Sequence, residues 1–182
     1  MLFILVTGMP GSGKSLVVEV AREKNIPVYT MGDVIREEAI KTYGRITPQT
    51  MLETSRIVRE KYGPGYVAEK IIERIKENRG VVLIDGVRSW DEVTVFQKYG
   101  DTTIFAIHAS PKTRFERLKR RGREGDPRTW EEFVTRDMIE LNFGIGNVIA
   151  LADYMVVNEK SIEEVKKDIR VVMDKILGRV GK

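Results

Sequence analysis

Cysteine is absent from this 182-residue chain, and histidine occurs only once, at position 108. The lack of cysteine excludes disulfide bonds, thiolate catalysis and cysteine-ligated zinc. One histidine cannot build a multi-histidine metal site. Because His108 ends the apolar run Thr103 to Ile107, we predict a structural role at a strand end, with a substrate contact as the alternative.

Long apolar runs are also missing. The opening run, Met1 to Val6, is far shorter than the roughly 20 residues that a membrane-spanning helix requires, and it leads directly into a glycine-rich segment. We therefore interpret it as a buried strand of a soluble, cytoplasmic protein without a membrane partner. The length fits a single domain over residues 1–182. The oligomeric state stays open between a monomer and a homodimer.

Acidic residues are scarce in one segment of a chain whose net charge is only +4: residues 112–123 hold seven basic side chains and one acidic side chain, Glu116. Such a run can be a solvated helix face, a nucleic-acid-binding patch or a clamp for a small polyanion. Its position relative to the other motifs has to decide between these readings.

The most informative segment is a phosphate-binding loop signature, a glycine and four residues followed by Gly-Lys-Ser. It comes directly after the opening apolar run and before a helical pattern. Glycines let backbone N–H groups surround phosphate oxygens, the lysine adds a positive charge, and the serine hydroxyl can bind Mg²⁺. We predict that ATP binds here through Gly8, Met9, Pro10, Gly11, Ser12, Gly13, Lys14, Ser15 and Leu16.

Short apolar runs alternate with longer periodic segments along the chain, which predicts an α/β fold with a parallel sheet. The predicted strands are Leu2 to Val6, Val28 to Thr30, Val81 to Ile84, Thr102 to Ile107 and Tyr154 to Val157. Two connections are longer than one crossover helix needs. Both leave the sheet at the edge where ligands bind in such folds, so we expect each to cover one of two substrates.

The strand at residues 81–84 is followed by Asp85-Gly86-Val87-Arg88. An acidic side chain at this place commonly holds Mg²⁺ through water, although it can also cap the following turn. Arg88 requires an anionic partner if it is buried, and a phosphate suits a guanidinium well.

Another charged pair follows the second strand, in the segment Gly32-Asp33-Val34-Ile35-Arg36. Asp33 and Arg36 share a helix face, where they can form an ion pair. Alternatively, Arg36 binds an acceptor phosphate and Asp33 binds a hydroxyl or acts as a base.

Together, the phosphate loop, Gly-Asp-x-x-Arg, Asp-Gly-x-Arg and the arginine-rich segment resemble adenylate kinase and its nucleoside monophosphate kinase relatives. More closely, the chain resembles an archaeal family of adenylate-kinase-related, dephospho-CoA-kinase-like proteins. This resemblance implies a three-layer kinase fold with a five-stranded parallel sheet in the order 2-3-1-4-5. It also implies a helical acceptor-binding insertion at about residues 31–78 and a short lid at about residues 117–136.

The resemblance also implies roles for individual residues. Gly32, Asp33, Arg36 and Arg88 correspond to the acceptor side, where Arg36 and Arg88 hold a phosphate. Arg117 corresponds to an arginine that stacks on the donor adenine, and Arg121 to one that reaches the donor phosphates. Arg123 and Arg136 resemble lid arginines that close on the transferred phosphoryl group. The implied catalytic set is therefore Lys14, Asp33, Arg88, Arg123 and Arg136, with Mg²⁺ at Ser15 and Asp85.

Departures from the adenylate kinase pattern leave the acceptor open. Asp85-Gly86-Val87-Arg88 is one residue shorter than the usual Asp-Gly-Phe-Pro-Arg, and the glutamine that reads the acceptor adenine is not evident near residues 89–91. The segment from Ala152 to Val165 instead resembles dephospho-CoA kinase, in which an aspartate like Asp33 activates a hydroxyl.

We expect transfer of the γ-phosphoryl group of ATP to a small phosphorylated acceptor, most simply a nucleoside monophosphate. One alternative is phosphorylation of a hydroxyl. The other is an ATP-binding regulatory or RNA-associated module, although the lid position of the basic run disfavours a nucleic-acid partner.

Overall fold

The five predicted apolar runs form the strands of one parallel sheet in the computed structural model, which describes residues 1–77 and 80–179. The sheet order is β2-β3-β1-β4-β5, as the resemblance implied. Each predicted strand bound lies within one residue of the observed bounds, which are β1 (Leu2–Thr7), β2 (Val28–Thr30), β3 (Val81–Asp85), β4 (Asp101–His108) and β5 (Tyr154–Val157).

Helices connect the strands and cover both faces of the sheet. Their starts follow the sequence signals: Ser89, Thr129 and Ser161 are N-caps, and the prolines at 48 and 111 occupy the first turn. In chain order the helices are α1 (Lys14–Glu23), α2 (Met31–Tyr43), α3 (Pro48–Tyr62), α4 (Tyr66–Ile72), α5 (Trp90–Gln97), α6 (Pro111–Arg121), α7 (Trp130–Asn142), α8 (Ile145–Ala150) and α9 (Ile162–Leu177).

Two apolar clusters hold the three layers together. On one face of the sheet, α1 and α9 pack on Ile4, Val6 and Phe105. On the other face, helices α2 to α5 and α8 pack on Phe3, Leu5 and neighbouring strand residues. Side chains alternate across the sheet, so residues next to each other in β1 enter opposite clusters.

Three ion pairs also join α9 to α1 and to Lys24, the residue that follows α1. They link Lys24 to Asp174 at 2.5 Å, Lys166 to Glu19 at 2.7 Å and Arg170 to Glu23 at 2.9 Å. The second half of the helix that starts at the phosphate loop is therefore tied to α9.

Both long connections contain the helices that the sequence predicts. Helices α2, α3 and α4 form the first insertion, and breaks at Gly44 and Gly63 separate them. Its predicted end at residue 78 lies outside the described residues. The second connection holds α6, a loop, α7 and the additional short helix α8. Within the described residues, no helix is long and apolar enough to cross a membrane.

Candidate active site

The parallel register brings the ends of three strands together at one edge of the sheet. Asp85 at the end of β3 pairs with Val6 in β1 on one side and with Thr30 in β2 on the other. The phosphate loop follows β1 and helix α2 follows β2. Asp85 therefore lies between the loop and the start of the insertion, at the edge where ligands bind in open α/β sheets.

The phosphate loop closes on itself and leads directly into α1. Lys14 Nζ donates a hydrogen bond to the carbonyl oxygen of Gly8 at 2.6 Å, and the Ser12 N–H donates to Met9 O at 3.1 Å. Gly13 precedes α1 with a φ of 101°, and no side chain caps this helix. The Leu16 N–H donates to Gly13 O at 3.0 Å, whereas the N–H groups of Lys14 and Ser15 are available to a phosphate, whose charge the helix dipole favours.

Asn158, which the sequence analysis missed, supports the loop from the end of β5. Its Nδ2 donates to Ser12 O at 2.8 Å, and a side chain at Gly13 would overlap it. Arg117 Nη2 donates to Asn158 O at 2.9 Å and to Asn158 Oδ1 at 3.2 Å. The predicted adenine contact at Arg117 therefore lies on the flank of the loop, connected to it through Asn158.

Lys14 is the centre of a cluster of opposite charges. Burial lowers the pKa of Lys14 to about 8; the carboxylates of Asp85 and Glu140 oppose this decrease, whereas the guanidiniums of Arg88 and Arg136 add to it. Lys14 therefore lies within electrostatic reach of two carboxylates and two guanidiniums. Like charges repel each other here, so the arrangement favours a polyanionic ligand that neutralises them.

The carboxylate of Asp85 fits a role in binding a metal ion. Burial raises its pKa and the Asp33 carboxylate raises it further, while Lys14 and Arg88 act in the opposite direction. Its Oδ1 is buried and has no hydrogen-bond partner among the described residues. Ser15 is exposed at the same loop. The described residues contain no cluster of three or more acidic or histidine ligands, so phosphate oxygens and water would complete a Mg²⁺ shell.

Asp33 and Arg36 form an ion pair in the first turns of α2, which is the simpler of the two readings of that segment. Their side chains are 54% and 47% exposed, so both groups can also reach a ligand. Gly32 lies beside the Arg36 guanidinium. Arg88 is 39% exposed and lies next to Glu140 of α7. The predicted acceptor residues therefore gather on the insertion side of Asp85.

The predicted lid arginines converge on a single carboxylate, Asp126. Arg121 donates to it twice, at 2.8 and 2.6 Å, and Arg136 donates once, at 3.2 Å. Arg123 contributes its backbone N–H at 3.0 Å while its side chain remains exposed. The hydrogen bonds from Arg121, the backbone N–H of Arg123 and Arg136 lower the pKa of Asp126 to about 2.

The lid loop also touches the insertion. Gly125 has a φ of 79°, and a Cβ placed there would lie 2.6 Å from Cβ of Pro48, the first residue of α3. Only glycine permits this close approach. The two segments predicted to cover the two substrates are therefore in contact with each other.

Arg114 is a second residue that the sequence analysis did not single out. It is buried in α6, donates to Pro10 O at 3.2 Å and forms a two-bonded ion pair with Asp137 of α7 at 2.8 and 2.5 Å. Its guanidinium also lies 4.9 Å from the centre of the Phe133 ring. Arg114, Arg117 and Arg121 thus direct their charges to partners within the protein, which argues against a freely solvated basic face.

Glu92 and Arg59 form a buried ion pair that links the insertion to the acceptor side. Arg59 Nη2 of α3 donates to Glu92 Oε1 at 2.7 Å, and the Arg88 N–H donates to Glu92 Oε2 at 2.8 Å. Glu92 is fully buried. In the sequence it matches only the spacing of a helix start, and no local pattern predicts its partner 33 positions earlier.

Comparisons with known proteins identify the family and the fold of the chain. The family model described as an AAA domain matches residues 7–134. The chain is 59% identical over 182 residues to the UPF0200 protein of Staphylothermus marinus, covering 100% of this chain and 96% of that protein. It is 49% identical to the UPF0200 protein of Pyrococcus abyssi, covering 97% of both chains.

Similar solved structures share the fold at low sequence identity. They include TT1252 from Thermus thermophilus (TM-score 0.64, 18% identity, 96% of this chain and 97% of that chain). A shikimate kinase from Bacteroides thetaiotaomicron gives a TM-score of 0.64 at 16% identity over 95% and 98% of the two chains. A gluconokinase from Sinorhizobium meliloti gives a TM-score of 0.58 at 16% identity, over 97% of this chain and 93% of that chain.

These structural neighbours establish the architecture of the sheet and its helices, while the matches over the full length establish the family. The phosphate loop lies at the start of the matched domain. The chain therefore belongs to the UPF0200 family of archaeal proteins and has the fold of a P-loop kinase.

Proposed function

We propose that this protein is a phosphotransferase that moves the γ-phosphoryl group of ATP to a small, phosphate-bearing acceptor of the nucleoside monophosphate class. The observation that carries the proposal is the phosphate loop at the sheet edge, where Lys14 and the uncapped start of α1 follow β1, Asp85 ends the neighbouring strand, and the charges of Arg88 and Arg136 act on Lys14. Phosphoryl transfer needs two anionic substrates in line and cancellation of charge on the transferred group, and this cluster can supply both.

The donor side is built from the loop and from α6. The N–H groups at the start of α1 and the Lys14 ammonium can bind the phosphates of ATP, and Arg117 lies beside the loop, bonded to Asn158. Arg121 and Arg136 are held nearby by Asp126 and can turn towards a phosphate that offers a stronger anionic partner.

The acceptor side is built from α2 and the turn after β3. Arg36 and Arg88 can grip an acceptor phosphate, whose oxygen then attacks the γ-phosphorus. The new P–O bond forms as the bond from the γ-phosphorus to the β–γ bridging oxygen breaks, and ADP leaves. A phosphate oxygen is already anionic, so this transfer needs no base.

Mg²⁺ fits the site because Ser15 is accessible and Asp85 holds a buried oxygen without a partner in the described chain. When bound, the ion would neutralise charge on the donor phosphates. The proposal assigns Ser15 to direct contact and Asp85 to contact through water.

The second candidate is phosphorylation of a hydroxyl, and the position of Asp33 favours it. Its carboxylate is close enough to Asp85 to raise that group's pKa. In this reaction Asp33 would take the proton of the attacking hydroxyl as its oxygen bonds to the γ-phosphorus, while the bond from the γ-phosphorus to the β–γ bridging oxygen breaks and ADP leaves.

A coupled assay of ADP release with Mg·ATP and a panel of nucleoside monophosphates tests the proposal. We expect one or more acceptors to raise ADP release well above the acceptor-free rate, and Arg88→Met to abolish the increase while leaving binding of a non-hydrolysable ATP analogue intact. Arg22→Met, at the exposed far end of α1, is the control for loss of a surface charge. If no acceptor raises ADP release, the proposal fails.

Two variants separate the candidates. With a phosphate acceptor, Arg36→Met should raise KM and Asp33→Asn should change turnover little. With a hydroxyl acceptor, Asp33→Asn should lower kcat by about 100-fold or more, because general base catalysis is lost.

A further inference from the structure

Glu140 is a buried carboxylate at the site that phosphoryl transfer itself does not use. It lies on α7, four residues after Arg136 and therefore on the same face of the helix. Only 8% of the residue is exposed. Its charge acts on Lys14, whose pKa it raises, so it belongs to the cluster at the phosphate loop.

One oxygen of the Glu140 carboxylate accepts no hydrogen bond within the described residues. Oε2 lies 3.2 Å from Nε of Arg88, which is an ion-pair distance. No N–H of Arg88 is aligned with Oε2, however, and this oxygen has no hydrogen-bond partner among the described residues. A buried carboxylate oxygen without an aligned donor is rare in folded proteins. Oε2 is covered in this geometry, so a donor from a ligand reaches it when the partly exposed Arg88 side chain turns towards the anionic group of that ligand.

The charges around Glu140 restrict what that donor can be. A phosphate or carboxylate would be attracted by Arg88 but repelled by Glu140. A neutral hydroxyl donates readily to an ionised carboxylate, and such a bond to a charged group is stronger than one between neutral groups. A ligand that satisfies both residues therefore carries an anionic group for Arg88 and a hydroxyl close to it for Glu140.

We propose that Glu140 selects the acceptor by accepting a hydrogen bond from a hydroxyl group near its anionic group. This inference rests on the proposed transfer from ATP and describes the acceptor as a hydroxylated anion: a ribonucleotide, which agrees with the nucleoside monophosphate class, or a hydroxy acid, which would replace that class. Loss of one hydrogen bond to a charged group weakens binding by roughly 10- to 100-fold, so this is the expected preference over an acceptor that lacks the hydroxyl.

Calorimetric titration with Mg²⁺ and a non-hydrolysable ATP analogue present measures this preference without relying on turnover. One arm compares ribonucleoside 5′-monophosphates with their 2′-deoxy and 3′-deoxy counterparts. The other compares gluconate with hexanoate, which has a carboxylate but no hydroxyl. The arm that shows a preference of about tenfold or more in the wild-type protein identifies the source of the hydroxyl.

Two variants and a control make the test specific to Glu140. Glu140→Ala should reduce the preference to about onefold, and Glu140→Gln, which keeps a carbonyl acceptor, should retain part of it. Glu131→Gln, on the exposed first turn of the same helix, should leave the preference unchanged. Denaturation midpoints confirm that each variant is folded.

The inference is overturned if the wild-type protein shows no preference in either arm, including by binding none of the probes. It is also overturned if Glu140→Ala weakens both members of a pair equally, because Glu140 would then only balance the charge of Arg88. ADP release judges the proposed function separately. Turnover without a hydroxyl preference defeats this inference alone, whereas a Glu140-dependent preference without any turnover defeats the proposed function alone.

Discussion

Removing one partner of the buried pair between Glu92 and Arg59 should destabilise the protein strongly. Glu92 is fully buried, and its two oxygens accept from Arg59 at 2.7 Å and from the Arg88 N–H at 2.8 Å. Arg59→Met keeps most of the side-chain volume but leaves a carboxylate in the interior with a single donor. Loss of one partner from a buried pair costs about 3–5 kcal/mol, so we expect a loss in this range.

Glu92→Gln tests the other side of the pair. The amide oxygen can still accept from the Arg88 N–H, so only the counter-charge of Arg59 is removed. Because 12% of the Arg59 side chain reaches solvent, leaving its charge without a partner costs less, and we expect a smaller loss of stability than for Arg59→Met. The double variant leaves neither charge unpaired. Its loss of stability should therefore be at least ~1 kcal/mol smaller than the sum of the two single losses, because residues in contact typically show such a coupling of about 0.5–3 kcal/mol.

Urea denaturation followed by circular dichroism measures these free energies of unfolding. Arg56→Met is the matched control, because Arg56 pairs with Glu60 at 3.5 Å on the surface of the same helix, where both side chains are more than 60% exposed. Such a pair contributes about 0–1 kcal/mol. If Arg59→Met costs no more than Arg56→Met, or if the losses in the double variant are additive, the pair does not link the insertion to the turn at Arg88 as we argue.

Three further predictions concern the phosphate loop and the lid. Because the pKa of Lys14 is about 8 and a bound phosphate raises it, affinity for an ATP analogue should fall above pH 8 by up to tenfold per pH unit. Binding titrations at pH 7–10 measure this fall. The same dependence of affinity on pH in Lys14→Arg would contradict the prediction. Gly125→Ala, which collides with Pro48, should raise KM for both substrates in steady-state assays. Gly122→Ala, with φ of 60° and only an ordinary contact of 3.9 Å to Lys119 O, should add no more than local strain. Equal effects of the two variants would refute the contact between the lid loop and the insertion. Asp126 has a pKa of about 2 in the folded protein, so its charge should stabilise the protein above about pH 4 and lose this contribution as the pH falls towards 2. In urea denaturation, Asp126→Asn should therefore lower the free energy of unfolding by about 1 kcal/mol at pH 6 and by less at pH 3. A loss independent of pH would contradict the role of this charge.

The strands and most helix starts could be predicted because they depend on local chemistry. The apolar run of β1 enters a glycine loop, and Ser161 caps α9 three residues before Glu164, so each signal lies within a few positions of the structure that it specifies. The sheet order came from the resemblance to nucleotide kinases, and the structure confirms it.

The internal partners of the site could not be predicted, because they join residues far apart in the sequence. Asn158 reaches the carbonyl of Ser12 across 146 positions, and no local pattern distinguishes it from an ordinary strand-end asparagine. Glu140 fits the helical pattern of α7 and becomes unusual only when Arg88 is placed beside it. The assigned roles of Arg36, Arg123 and Arg136 stay predictions.

The ion pairs between α1 and α9 bear on how the phosphate loop behaves on heating. The free-energy cost of removing charged groups from water falls as temperature rises. Ion pairs therefore contribute more to stability at high temperature than they do at 25 °C. Lys166 and Arg170 pair with Glu19 and Glu23 in the second half of α1, and Lys24 forms a third such pair directly after this helix. The pairs therefore brace the C-terminal half of α1 against thermal fraying, whereas its first turn depends on the packing of α1 against the sheet and on the hydrogen bonds of the phosphate loop itself.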